Sequence, residues 1–171
     1  MVYPAKIKKA KKNREKSEIG EATNAAFCFL SYRARSVEEV RRRLAEKGFS
    51  PLTITRTVDR IKEWGYLNDG EYAYNFACSS LVHKQWGTLR IQDALINKGV
   101  SQEIVNHTVA KIKGEYDLVK IAGRALETKF TQFRSHQPLD KKTTKRAIDF
   151  LRRQGFCWST ISSIIKSEDD A

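Results

Sequence analysis

Apolar residues recur along the chain at the spacing of one helix face, and the same pattern occurs three times. Each copy has two apolar residues four positions apart, followed four positions later by a Gly in the phrases LAEKGF, LINKGV and LRRQGF. Further apolar residues follow each Gly after six and ten positions, which predicts a second helix. The chain therefore repeats about every 50 residues. The copies contain Val40, Leu44 and Gly48, then Ile91, Leu95 and Gly99, and then Ala147, Leu151 and Gly155.

The first copy indicates where these helices begin and end. Ser36 and Glu39 have the spacing of a capping box, which satisfies the free backbone N–H groups at a helix start. Gly48 is expected to end that helix, because Gly adopts the left-handed cap conformation at the lowest cost. Ser50 followed by Pro51 predicts the next helix, with Ser as the N-cap and Pro in the first turn.

An apolar segment precedes each copy and predicts an opening helix, so each module should contain three helices. The openers are expected at 25–33, from Asn68 or Asp69 to about His83, and at 117–130. No stretch alternates with a period of two over strand length, which favours an all-α fold. We predict a tandem array of three three-helix, helix-turn-helix-like repeats, elongated and curved. The expected divisions are a basic, flexible arm at 1–20, repeats at 21–67, 68–114 and 115–166, and an acidic tail at 167–171.

Positive charge dominates the composition, with 32 Lys and Arg against 20 Asp and Glu and a formal net charge of +12. Such an excess favours a polyanionic partner, above all nucleic acid. Residues 1–20 hold seven of the basic residues and only two acidic ones. Because we find neither a run of about 18 apolar residues nor a signal peptide, we expect a cytoplasmic protein with no membrane segment. The three Cys residues favour reduced thiols, with Cys28 and Cys78 buried on apolar faces.

The sequence offers no convergent set of catalytic groups. His83, His107 and His136 lack the spacing of metal ligands, and neither a phosphate-binding loop nor a nucleophile elbow is present. The acidic pair at positions 38 and 39 is explained by helix capping, and Asp69 by the same role. We therefore expect a binding protein without catalytic residues, metal or cofactor.

Basic residues gather around the second helix of each copy and are the candidate contacts to a partner. In register they would form a basic stripe along the array, although a solvated helix face has the same pattern. Trp86 and Trp158 are either exposed stacking groups or plugs at junctions between modules. The helix–Gly–helix units are also similar to helix-turn-helix DNA readers, which leaves direct DNA binding open. The candidates are Arg33, Arg35, Arg41, Arg42, Arg43, Lys47, Lys84, Arg90, Lys98, Lys145, Arg146, Arg152 and Arg153.

Four longer segments carry a resemblance to a known family. They are SVEEVRRRLAEKGFSPLTI at 36–54, WGYLNDGEYAYNF at 64–76, WGTLRIQDALINKGVSQEIV at 86–105 and RAIDFLRRQGFCWSTI at 146–161. In this order they resemble the RecX family of bacterial regulators, a resemblance that covers residues 25–166. The third copy departs most, because its link is longer and Ala147 replaces the Val or Ile of the other copies.

The resemblance implies a function that composition alone does not. RecX proteins are built from tandem three-helix repeats and bind RecA, the recombinase that forms filaments on single-stranded DNA. They lodge in the filament groove and restrain its growth, strand exchange, ATP hydrolysis and co-protease activity, with no catalytic residues of their own. The resemblance therefore implies a monomeric RecA regulator, with weak, salt-dependent DNA binding as a possible addition. A DNA-binding protein acting through helix-turn-helix units and a scaffold with no DNA role are the alternatives.

Overall fold

The computed structural model describes the backbone of residues 4–130 and 140–169 and the side chains of residues 17–130 and 140–165. These ranges contain nine helices and no strand, so the all-α prediction is confirmed. Within them, no helix combines the length and apolar character that crossing a bilayer requires. The helices are α1 (Pro4–Leu30), α2 (Val37–Glu46), α3 (Pro51–Glu63), α4 (Asp69–Lys84), α5 (Thr88–Asn97), α6 (Gln102–Glu115), α7 (Leu118–Lys129), α8 (Lys141–Gln154) and α9 (Trp158–Asp169).

The helix ends predicted for the first copy are confirmed. The Ser36 side chain accepts a hydrogen bond from the backbone N–H of Glu39 at 3.1 Å, and the Glu39 carboxylate accepts one from the Ser36 N–H, also at 3.1 Å. Gly48 has a φ of +85°, as a left-handed cap requires. Ser50 is the N-cap of α3, and Pro51 occupies its first turn.

Asn68 and Asp69 have different roles. The Asn68 side chain accepts hydrogen bonds from the N–H groups of Gly70 and Glu71 at 3.0 and 3.1 Å, so Asn68 is the residue that caps α4. The Asp69 carboxylate instead accepts a hydrogen bond from the N–H of Val37 at 2.9 Å. It therefore caps α2, a helix whose start lies 32 residues away in the sequence.

The N-terminal helix differs from the expectation at two points. α1 runs from Pro4 to Leu30, so the boundary expected at residue 20 does not interrupt the backbone. Cys28, expected to be buried, is exposed. Ala22 and Ala26 face the core four positions apart, and Cys28 lies two positions beyond that stripe, on another side of the helix. Cys78 is partly buried.

The chain divides into two compact units, one running to Tyr72 and including Lys98–Val100, the other formed by Ala73–Asn97 and the chain from Ser101 onward. In the first unit, α1, α2 and α3 enclose Ala22, Ala26, Val37, Val40, Leu44, Ile54, Val58, Ile61 and Leu67. In the second unit, α7, α8 and α9 enclose Ala122, Leu126, Ala147, Leu151, Phe156, Ile161 and Ile164.

Each unit contains the same contact between a helix start and a glycine-capped helix end, which we call the cap joint. In the first unit the hydroxyl of Ser36 donates to the carbonyl of Lys98, the residue before Gly99, at 2.5 Å. In the second unit the N–H of Gly87 donates to the carbonyl of Gln154, the residue before Gly155, at 2.7 Å. The carbonyls that an ending helix leaves without partners are thereby satisfied by another helix's start.

The joint in the second unit also requires Gly87 for steric reasons. A Cβ atom at Gly87 would lie 2.2 Å from the carbonyl carbon and oxygen of Gly155 and 2.3 Å from the backbone nitrogen of Phe156. These are backbone atoms, so they cannot move aside as a flexible side chain can. The close approach explains why this helix start has Gly where the first unit has Ser36.

We expect Gly87→Ala to lower the free energy of unfolding by roughly 2 kcal/mol or more, because the new methyl group overpacks the joint. The matched control is Gly123→Ala in α7, where a Cβ meets no atom within 4 Å. Alanine favours the helix there and should raise stability by up to about 1 kcal/mol. Urea denaturation followed by circular dichroism measures both, and equal stability of the two variants would contradict the joint's steric requirement.

Candidate partner-binding surfaces

Three of the candidate cations surround one carboxylate in the first unit. Oε1 of Glu39 lies 2.8 Å from a guanidinium nitrogen of Arg33 and 3.5 Å from Nζ of Lys98. Arg35 lies 3.8 Å from the same oxygen, and its guanidinium also stacks 4.1 Å from the ring centre of Phe29. These three side chains therefore form an internal network and are not presented as separate charges.

The network holds Glu39 in its ionised form. Burial raises the pKa of Glu39, but hydrogen bonds from Arg33 and the Ser36 N–H, with the charge of Lys98, outweigh it and bring the pKa to about 2. The Tyr72 hydroxyl donates to the same carboxylate at 3.1 Å. Burial and the negative charge of Glu39 raise the pKa of Tyr72 to about 12. A deprotonated Glu39 is therefore part of the folded structure at neutral pH.

The three consecutive arginines of α2 are only partly available to a partner. Arg42 lies 4.0 Å from Glu38, and Arg43 lies 3.0 Å from Glu46. Both pairs are exposed, so each contributes little to stability and a stronger anion can displace the carboxylate. Arg41 is half-buried. The charge of this face is thus partly compensated within its own helix.

A different arrangement occurs at the start of α5 in the second unit. Nζ of Lys84 lies 4.6 Å from the ring centre of Trp86, and the guanidinium of Arg90 lies 4.3 Å from it. Phe76 packs edge-on against the same indole at 6.4 Å. Such contacts hold both cations in place without neutralising them. Trp86 is half-buried, so it acts as the platform of this group.

The cap joint places the end of α8 beside this platform. Arg90 donates a hydrogen bond to the side-chain oxygen of Gln154 at 2.8 Å. Arg152, two residues earlier, lies over the ring of Trp158 at 5.4 Å, and 59% of Trp158 is exposed. Arg153 is exposed on the same turn.

We call Lys84, Trp86, Arg90, Arg152, Arg153 and Trp158 the cation–tryptophan cluster. Among the side chains that the structure describes, none of its four cations is within 4.0 Å of a carboxylate. Aromatic and arginine side chains together are typical of protein-interface hot spots and of nucleic-acid contacts. This cluster is therefore the strongest candidate binding surface of the second unit.

The remaining candidate cations are exposed singly. Lys47 lies at the C-cap of α2, and Lys145 and Arg146 lie on α8.

The sequence analysis did not identify an aromatic group in the first unit. Trp64 stacks on Phe27 at 6.0 Å, and Tyr66 packs edge-on against Phe27 at 5.0 Å. The sequence Trp64-Gly65-Tyr66 could have predicted this group. Gly65 has a left-handed backbone conformation, and both aromatic residues beside it are exposed to solvent.

In the second unit, α6 gives little support to base-specific DNA recognition by a helix-turn-helix. In that motif the second helix enters the major groove with its first residues against the bases. The corresponding α6 begins with Gln102 and Glu103, and its two basic residues are matched by two acidic ones. The candidate cations lie instead on and around the preceding helices.

One thiol, that of Cys157, has a lowered pKa. Burial raises the pKa of Cys157, but hydrogen bonds from Ser159 and Thr160 outweigh it and lower the pKa to about 7. Its neighbours are the hydroxyls of Ser159 and Thr160, whose oxygens lie 3.0 and 3.2 Å from the sulfur. No group of three or more His, Cys, Asp and Glu in the described ranges could hold a metal ion.

Known proteins resemble this chain in both sequence and fold. A family model described as RecX, first three-helix domain, matches residues 22–60. "Regulatory protein RecX" of Pelodictyon phaeoclathratiforme is 30% identical over 145 residues, which are 85% of this chain and 87% of that protein. The protein of the same name from Clostridium perfringens strain 13 is 29% identical over 152 residues, 89% of this chain and 70% of that protein. A crystal structure of RecX from Lactobacillus salivarius has the same fold, with a TM-score of 0.80 at 22% identity, over 91% of this chain and 99% of that one.

The Glu39 network predicts a specific loss of stability in acid. Because the pKa of Glu39 is lowered from 4.5 to about 2, its contribution is fully present above pH 4.5 and is lost as the pH falls toward 2. We expect Glu39→Gln to cost about 1–3 kcal/mol at pH 7, with a gap from the wild type that closes over this pH range. Urea unfolding of both proteins at several pH values measures this difference in stability.

The matched control is Glu46→Gln, on the same helix, where the lost partner is an exposed arginine. That change should cost under about 1 kcal/mol at any of these pH values. A Glu39→Gln gap that is as large at pH 3 as at pH 7 would show that the carboxylate charge does not stabilise the fold.

Proposed function

This chain belongs to the RecX family of regulatory proteins, and we propose that it binds the RecA filament on single-stranded DNA and inhibits it. The observation that carries the proposal is the 30% identity to a RecX regulatory protein over most of both chains. We infer that binding restrains filament growth or favours disassembly, and so lowers strand exchange, ATP hydrolysis and co-protease activity. The protein would act as a monomer in the cytoplasm, where recombination and DNA repair take place.

The surface charges support a partner that carries DNA. With a net charge of +12, the chain is attracted to a nucleoprotein filament over distances of about a Debye length, roughly 8 Å at physiological salt. Such attraction accelerates encounter and makes binding sensitive to salt. The cation–tryptophan cluster supplies the short-range part of the interaction, because its cations are held in place but not neutralised.

The action is inferred to be binding without catalysis. The contacts around Glu39 and Trp86 are ion pairs and cation–π contacts, and they do not pair a nucleophile with a base. A protein that binds without catalysis changes a filament by occupying sites on it. An amount of protein far below the amount of RecA is then effective only if a few sites control filament growth. Filament ends are such sites.

The test is the DNA-dependent ATPase of RecA with increasing amounts of this protein. We expect inhibition at amounts well below one protein per RecA subunit, with loss of filament growth in parallel. Unchanged ATPase and growth would contradict the proposal. A gel shift on DNA without RecA distinguishes this proposal from the alternative. Tight, sequence-selective binding would favour a DNA-binding protein that uses its helix-turn-helix units.

Two double variants compare the cation–tryptophan cluster of the second unit with the arginines of α2 in the first unit. We expect Arg152→Gln with Arg153→Gln to raise the half-inhibitory concentration about tenfold and to make the salt dependence of binding shallower by one or two units of slope. Arg42→Gln with Arg43→Gln removes the same charge from arginines already paired with carboxylates, and should have a smaller effect. Equal effects of folded variants would exclude the second unit as the preferred contact.

A further inference from the structure

α2 ends in a glycine cap of the same geometry as the two that form cap joints. Gly48 has a φ of +85°, compared with +77° at Gly99 and +85° at Gly155. The N–H of Gly48 bonds to the carbonyl three residues earlier at 2.9 Å, as the N–H of Gly155 does. The backbone surface that receives a helix start in both cap joints is therefore also present at the end of α2.

In both cap joints this surface is occupied by the start of another helix. A Cβ atom at Gly99 would lie 2.4 Å from Cβ of Glu38, and one at Gly155 would lie 2.4 Å from the backbone nitrogen of Arg90. The side chain before each Gly also pairs with the incoming helix. Lys98 lies 3.5 Å from Glu39, and Gln154 accepts a hydrogen bond from Arg90 at 2.8 Å.

Glu39 and Arg90 have equivalent places in their helices. Glu39 follows the Ser36 donor by three residues, and Arg90 follows the Gly87 donor by three residues. Each cap joint thus has two elements: a donor that meets the last carbonyl, and a side chain three positions later that pairs with the residue before the Gly. Together they define what a helix start must carry to fit such a cap.

The cap of α2 has no occupant among the described residues. No heavy atom of theirs lies within 4 Å of a Cβ built on Gly48, and both Gly48 and Lys47 are exposed. The carbonyl of Lys47, equivalent to those of Lys98 and Gln154, accepts no hydrogen bond from these residues. Among the residues whose side chains the structure describes, the surface that is covered at Gly99 and Gly155 is therefore open at Gly48.

We propose that the open cap at Lys47 and Gly48 docks the start of a helix from the partner protein. By the pattern of the cap joints, that helix carries Ser, Thr or Gly as donor and Asp or Glu three residues later, to pair with the ammonium group of Lys47. This inference rests on the proposed function, because it assigns the helix to RecA. It would also give a role to Lys47, an exposed lysine that forms no ion pair with the described side chains.

The α8 start of a second copy of this chain does not fit the open cap. The equivalent positions of its third repeat are Thr143 and Arg146. α8 begins at Lys141, before them, so Thr143 lies within the helix and is buried. Arg146 would bring a second positive charge against Lys47, where the first unit pairs Lys98 with a carboxylate. A helix with an acidic start is therefore the better match for Lys47.

The first experiment reverses one charge at the open cap. We expect Lys47→Glu to weaken binding to RecA filaments at least tenfold in co-sedimentation. The control Lys62→Glu, which changes the net charge equally at an exposed site on α3, should stay within twofold of the wild type. Thermal melting confirms that both variants fold. If Lys47→Glu binds like Lys62→Glu while the wild type binds normally, the docking proposal is wrong and the proposed function stands. A wild type that fails to bind overturns both.

The second experiment locates the contact. Ala45 is exposed on the last turn of α2, beside the cap. The substitution Ala45→p-benzoylphenylalanine places a photo-crosslinking group there. We expect it to crosslink purified RecA within the first turn of one helix that has a small donor residue and an acidic residue three positions later. Reversing that acidic residue to Lys should restore binding by the Lys47→Glu variant. Crosslinks confined to other parts of RecA, or no restoration, would overturn the proposal.

Discussion

A carbonyl group that faces outward at the end of a helix is the constraint on which this architecture depends. The last carbonyls of an α-helix have no partner within the helix and must be satisfied from outside. In this chain a left-handed Gly turns the backbone away, and the start of another helix then supplies an N–H or hydroxyl donor. Since helix starts have unsatisfied donors and helix ends unsatisfied acceptors, one contact meets both needs. The joint also explains why Gly stands at positions 99 and 155, where a Cβ would meet the incoming helix start.

The same joint has opposite electrostatic consequences in the two units. In the first unit it brings Lys98 to Glu39, where Arg33 and Arg35 also converge, so positive charge is neutralised. In the second unit it brings Arg90 to the uncharged Gln154, so the cation is oriented and keeps its charge. One backbone geometry therefore produces a stabilising ion-pair network in one place and an available basic surface in the other. The difference depends on two side chains at equivalent positions.

Features set by neighbours in sequence were predictable, and those set by distant residues were not. The capping box of Ser36 and Glu39 and the cap at Gly48 depend on residues within a single turn, so spacing alone was sufficient. Lys98 reaches Glu39 across 59 positions, and Asp69 caps α2 across 32, so neither partnership leaves a local signal. Cys28 was misplaced because α1 is apolar over more than the stripe that the core covers. The basic candidates were found by type, but which of them are neutralised required the fold.

The position of the candidate contacts at helix ends follows from the same constraint. Helix surfaces in such repeats are used for packing, and their sides present mixed charge, as in α6. Helix ends are where the backbone turns, where Gly allows close approach, and where Trp86 and Trp158 can lie beside cations at defined distances. Cation–π contacts of this kind cost the cations little hydration and keep them directed outward. A regulator that acts by occupying its partner needs such preorganised surfaces, because each side chain already in place reduces the entropy lost on binding.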